Sequence, residues 1–160
     1  SEITLRMHDA LEHVGIHWYE DILTPDDLEE LGSLRNKISP VNMAGGEHEF
    51  TVHGFADIAR TNAYDIWQPD ITWCGGITAG QRIVELAAAY NAKVVPHRGA
   101  EPWGLHLITT TECEDFAEIL PGVRGGNKDD LWIGATEPID GYIQIDDEPG
   151  FGVSPNEGLL

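Results

Sequence analysis

At 160 residues, 41% of them hydrophobic, the chain is long enough to bury a real core and too apolar to be disordered. Its 28 acidic residues against 9 basic ones give a formal charge of −19, which disfavours nucleic acid and anionic membranes as partners. No apolar run is long enough to span a bilayer, no signal-peptide layout opens the chain, and two cysteines cannot staple a scaffold, so a reduced cytoplasmic setting is expected.

The acids are scattered (Asp26 and Asp27, Glu112 and Glu114, Asp129 and Asp130, Asp146 to Glu148) rather than gathered in one tail. That distribution suits a halophile's solvated surface, where high salt screens self-repulsion. In chain order, Leu5 to Val14 reads as a helix, with Leu5, Ala10, Leu11 and Val14 able to share a face. Ile16 to Glu20 reads as a strand ending in an acid. Thr24 as cap and Pro25 at the first helical position start a helix whose stripe is Leu28, Leu31, Leu34 and Ile38. Val41 to Met43 is a short strand, Val52 to Arg60 a helix, and Tyr64 to Gln68 the next strand. Thr78 is placed to cap a helix reaching Tyr90. Lys93 to Val95 follows as a strand, then a helix over Leu105 to Thr110 and a fifth strand over Phe116 to Leu120.

Beyond Pro121 the chain is rich in Gly, Pro and Asp, apart from the alternating strand Tyr142 to Ile145. The expected division is therefore residues 1–122 as βα units and 123–160 as a C-terminal tail. Five strands separated by helices imply a parallel α/β sheet, because parallel neighbours need crossover connections. An open doubly wound sheet and part of a closed barrel both fit. A nucleotide-binding sheet has little support, since no glycine-rich phosphate loop is present.

The residue closing each strand carries the chemistry. In order these are Glu20, Glu47, Asp70, His97 and Glu118, spaced 27, 23, 27 and 21 residues apart. Any one of them alone reads as an ordinary capping or loop residue. Together they place one ionisable group per βα unit, at the strand ends where barrel enzymes do their chemistry. Four carboxylates facing one another repel strongly without a cation. Oxygen ligands favour Mg²⁺ over zinc.

Four segments then make the pattern specific: Trp18-Tyr19-Glu20-Asp21, Gly46-Glu47-His48, Gln68-Pro69-Asp70-Ile71-Thr72-Trp73-Cys74-Gly75-Gly76-Ile77-Thr78, and Val94-Val95-Pro96-His97. They resemble the mandelate racemase and muconate lactonizing enzyme branch of the enolase superfamily, and within it most the L-rhamnonate dehydratases. The closing Pro149-Gly150-Phe151-Gly152-Val153 resembles the end of that family's chains. The resemblance implies strands 4 to 8 of a TIM-type barrel, with a tail returning to an N-terminal α+β capping domain outside this sequence. It implies a Mg²⁺-dependent acid-sugar dehydratase, a hydro-lyase, with Glu20 and Glu47 as two of three metal ligands. The third, an Asp, is expected shortly before residue 1. By the same resemblance His97 takes the proton α to the substrate carboxylate, Asp70 orients it, Glu118 contacts the substrate, and His48 faces the sugar acid.

Two departures from the family stand out. Glu49 follows His48 where a second histidine is usual, and Arg98-Gly99-Ala100-Glu101-Pro102-Trp103 replaces a small, Ser-rich segment. Arg98 is a candidate substrate contact, or else a partner in a surface or interface salt bridge. The expected partners are a sugar acid, the upstream half of the same enzyme as a separate or cleaved chain, and further copies in a homo-oligomer. A racemase, epimerase or cycloisomerase of the same superfamily, and a non-catalytic metal-binding half barrel, are the other readings.

Overall fold

The computed structural model describes residues 2–120 and 131–159. Helix α1 (Glu2–Leu11) runs into a 3-10 turn (Glu12–Val14). Four βα units follow: β1 (Trp18–Glu20) with α2 (Leu28–Ile38), β2 (Asn42–Gly45) with α3 (Thr51–Thr61), β3 (Ile66–Trp67) with α4 (Ile77–Ala89), and β4 (Lys93–Val94) with α5 (Pro102–Thr110). The strands form one parallel sheet in chain order, so neighbours in sequence are neighbours in space.

Strand alternation divides the apolar side chains between two layers. Tyr19, Met43, Trp67 and Val94 join the core built with the helices, where Leu31, Leu34, Ile38, Phe55, Ile58 and Ile83 are fully buried. Each large side chain so buried contributes about 1.5–3 kcal/mol. Ala44, Ile66 and Val95 form a smaller cluster with Trp18 on the other face. Below the sheet, Asp65 accepts from Arg35 Nε at 2.8 Å and from the Met43 N–H at 2.9 Å, tying α2 to β2 and β3.

Helix starts differ from expectation. Asp27, not Thr24, caps α2 by accepting from the Glu30 N–H at 3.0 Å, and the Thr24–Pro25 stretch is spent on a turn. Glu29 and Glu30 in its first turn and Arg35 and Lys37 in its last complement the helix dipole. Gly76, at φ 83°, precedes α4, so Thr78 lies inside that helix.

The expected fifth strand is also corrected. Residues 116–120 form no ladder; the segment is tied to its neighbours by the Glu114 N–H to Val94 O bond (2.9 Å) and the Ala100 N–H to Glu118 O bond (3.0 Å). Phe116 leans edge-on against Trp18, with ring centroids 6.0 Å apart, leaving it half exposed. Tyr142 to Ile145 is not a strand either. Tyr142 makes one isolated bridge to Ile139, and the tail's only ladder among the described residues pairs β5 (Trp132–Ile133) with β6 (Ser154–Pro155), antiparallel. The described tail lies on α5: Trp132 and Phe151 meet Trp103, and Phe151 also meets His106. The boundary expected at residue 122 lies outside the described residues. Among those residues no helix is long and apolar enough to cross a membrane.

Candidate active site

Register explains why distant residues meet. Gly45, Trp67 and Val94 lie level across β2, β3 and β4. Glu47, Asp70 and His97 follow them by two, three and three residues, so all three project beyond the same end of the sheet. His97 Nδ1 donates to Asp70 Oδ2 at 3.0 Å, and its Nε2 lies 3.4 Å from Glu47 Oε2 and 3.9 Å from Glu118 Oε2. The imidazole is thus held by one carboxylate behind it and faces two in front.

Asp70 is 2% exposed and fully engaged. Its Oδ1 accepts from the Thr72 N–H at 2.7 Å and from Thr72 Oγ1 at 2.6 Å. Burial alone would raise its pKa, but the hydrogen bonds from His97 and Thr72 outweigh it and hold the carboxyl below 3.8. The Asp70 hydrogen bond raises His97 above 6.5 against the opposing effect of burial, helped by the charges of Glu47 and Glu118.

The other expected residues arrive by different routes. Glu20 is set by Trp18 Nε1 (3.0 Å) and Gln68 Nε2 (2.9 Å), both donating to its Oε2. His48 stacks edge-on to Trp73 and places Nε2 3.4 Å from Glu47 Oε1 and 3.9 Å from Asp21 Oδ2. Glu118 reaches the site although its segment is no strand, because its Oε2 accepts the Arg98 backbone N–H at 2.7 Å. The Arg98 guanidinium points elsewhere, onto Glu101. Among its described contacts Arg98 meets the cluster through its backbone.

Asp21 is the residue that strand-end reasoning passed over. It follows Glu20 at φ 47°, its N–H bonds Ala44 O at 3.2 Å, and it forms with Glu47 and His48 a group whose ligand atoms all lie within 4.8 Å of one another. Its signal was present in the Trp18-Tyr19-Glu20-Asp21 motif, as a second acid beside the first. Burial is the main force raising the pKa of both Asp21 and Glu47. Glu20 adds to both, and Asp21 adds to Glu47. Carboxylates pushed up by desolvation and by one another are what a hard divalent cation relieves, and the oxygen-rich donor set fits one. Thiol chemistry has no comparable support. Burial pushes buried Cys74 up to about 11, far from a thiolate at neutral pH.

Comparison with known proteins decides the family. Residues 2–159 match the model of the family described as enolase C-terminal domain-like. The chain belongs to that family. The L-rhamnonate dehydratase of Saccharopolyspora erythraea is 35% identical over 161 residues, covering 97% of this chain and 41% of its own length. The crystal structure of a racemase from Streptomyces coelicolor A3(2) with bound magnesium superposes with a TM-score of 0.83 at 25% identity, over 98% of this chain and 41% of that one. The 3,6-anhydro-D-galactonate cycloisomerase from Zobellia galactanivorans gives 0.80 at 26%, over 93% of this chain and 43% of its own. The four parallel strands are thus the C-terminal part of an enolase-type TIM barrel. The chain spans about 40% of the length of the curated relatives it matches.

Proposed function

We propose that this chain is the acid- and base-bearing part of a Mg²⁺-dependent aldonate dehydratase of the L-rhamnonate type. The observation that carries the reading is His97, bonded through Nδ1 to a buried carboxylate while Nε2 faces Glu47 and Glu118. An imidazole whose Nδ1 proton is claimed by Asp70 keeps its lone pair at Nε2, where a base is needed.

Glu20 and Glu47, with Asp21 beside them, would hold Mg²⁺. When bound, the ion supplies positive charge where a second negative charge develops on a substrate carboxylate. The remaining work falls to side chains of this chain. His97 Nε2 takes the proton from the carbon α to that carboxylate. Asp70 steadies the imidazolium so formed, and its hydrogen bond keeps the charged form favoured. His97 then returns a proton to the β-hydroxyl, which leaves as water with the C–O bonding pair. The resulting enol becomes a 2-keto-3-deoxy acid. Glu118, fixed by the Arg98 N–H, borders the reacting end, and His48 with Trp73 borders the sugar chain on the other side.

The upstream part of the enzyme would supply the remaining metal ligand and the capping elements, within a homo-oligomer. The net charge of −19 supports a high-salt working medium. The racemase and the cycloisomerase among the similar structures keep a second reading open, in which the same proton abstraction ends in epimerisation or ring closure.

The test is a screen of the intact protein with Mg²⁺ at high salt against a panel of aldonates including L-rhamnonate. The proposal expects one or a few substrates to yield a 2-keto-3-deoxy acid, and chelation to stop the reaction. Epimerised substrate without loss of water favours the second reading. No conversion of any acid favours a binding-only part.

A further inference from the structure

The segment after His97 departs from the family pattern the rest of the site resembles, and it is built with unusual tightness. Arg98 sits in the left-handed region at φ 53°, where a residue with a side chain is held only if its surroundings hold it. The turn is closed by Gly99 N–H to Pro96 O at 3.0 Å and Glu101 N–H to Arg98 O at 2.9 Å. Gly104 of α5 presses on it: a Cβ there would meet Gly99 O at 2.7 Å and Gly99 Cα at 2.8 Å.

Glu101 lies at the foot of this turn. It is 8% exposed, it heads α5, and its carboxylate pairs with the Arg98 guanidinium. An acid this buried is retained at a desolvation cost that a surface position would avoid. Asp70 is close enough to repel Glu101, and Trp103 stands two residues after it in the first turn of α5. Trp103 in turn carries the rings of Trp132 and Phe151 from the tail. The head of α5 therefore stands between the tail, which rests on Trp103, and the ion pair of Glu101 with Arg98, whose N–H holds Glu118 beside His97.

We propose that Glu101 is a positioning residue. By pinning the Arg98 side chain it keeps Arg98 in its left-handed turn, and so aims the Arg98 N–H at Glu118 and holds His97 against Asp70. The inference rests on the dehydratase reading for its effect on turnover, and on the turn alone for its effect on Arg98. Glu101 touches none of the groups that would react; it acts through Arg98.

Two readouts on the intact protein separate these layers. The first is hydrogen exchange at the Arg98 amide in wild type, Glu101→Gln and Arg98→Gln. Both variants should exchange that amide at least about tenfold faster, with exchange in the sheet core unchanged. The second is the kinetics of the same variants on whichever aldonate the wild type dehydrates. Small misplacements near reacting groups cost about 10²-fold, so kcat should fall about 10- to 100-fold while KM stays within about threefold. Glu101→Asp should recover part of kcat. The double variant should be no worse than the poorer single one, since both act on one contact. Unchanged Arg98 exchange in Glu101→Gln overturns the proposal, whatever the activity. So does a fall in melting temperature with kcat intact, which is a purely structural role. If the wild type turns over no aldonate, the dehydratase reading fails separately, and the exchange result alone decides the role of Glu101.

Discussion

Asp70→Asn probes the dyad most sharply because it changes charge while conserving shape. The Asn carbonyl can keep both Thr72 bonds, at 2.7 and 2.6 Å, so the local turn survives. Its amide then faces His97 Nδ1, where two donors meet unless the imidazole moves its proton to Nε2. That tautomer puts a hydrogen where the base needs a lone pair. An equivalent carboxylate-to-amide change behind a catalytic histidine costs about 10⁴ in kcat in a serine protease, so a loss of about 10³ to 10⁴ is expected here. Stability should fall by about 1.5–3 kcal/mol, the worth of one hydrogen bond between charged partners.

The pH dependence of that loss has a definite sign. Asp70 has its folded pKa lowered, so its contribution is complete above 3.8 and disappears as pH falls through the folded value. His97 has its folded pKa raised, so its contribution is complete below 6.5 and disappears as pH rises through the folded value. Both are present between 3.8 and 6.5. In Mg²⁺-free buffer, urea unfolding should therefore separate wild type from Asp70→Asn more at about pH 5 than at about pH 9. A variant keeping a tenth of wild-type kcat, or an equal stability gap at both pH values, would refute the reasoning.

Other substitutions test neighbouring parts of the account. In Gly45→Ala the new Cβ would lie 2.5 Å from the Tyr64 ring, which is 3% exposed and cannot swing away, so unfolding should cost about 1–3 kcal/mol less than in wild type. Trimming the ring in Gly45→Ala/Tyr64→Leu should return part of that loss, and thermal melts would show it. Tyr64→Phe removes a buried hydroxyl that has no hydrogen-bond partner among the described residues, so denaturant melts should find it neutral or up to about 1 kcal/mol more stable. Glu47→Gln should weaken Mg²⁺ binding by at least about tenfold in a calorimetric titration; an unchanged isotherm would remove Glu47 from the ligand set. Wild type with Mg²⁺ at about 100 times its Kd should gain about 2.7 kcal/mol, a rise of roughly 5–10 °C in Tm that chelation reverses.

The meeting of Glu20, Glu47, Asp70 and His97 was legible because each lies at or just past the end of a strand, and parallel strands in chain order must bring their ends together. Glu118 was legible for a weaker reason. Its segment reads as a strand from Phe116, Ile119 and Leu120, yet Phe116 is drawn sideways onto Trp18 and the ladder never forms. What delivers Glu118 is a side-chain bond to the Arg98 N–H, and no apolar pattern encodes that. Arg98 itself reads either as a substrate contact or as a partner in a salt bridge, and an ion pair with Glu101 is what forms. Its left-handed backbone and the acid three residues on turn the guanidinium away, and left-handed residues other than glycine leave little trace in sequence. The helix caps failed locally: Thr24 and Thr78 are good caps by type, but Asp27 and Gly76 lie where the chain actually enters each helix.

The central claim is that His97 is the base, and His97→Asn in the intact protein tests it most directly. Turnover of the dehydrated aldonate and Mg²⁺ affinity should be measured side by side at high salt. The account predicts turnover lowered by at least about 10³-fold with Mg²⁺ affinity within about threefold of wild type. Turnover above a tenth of wild type would contradict it and move the base to another residue of the cluster.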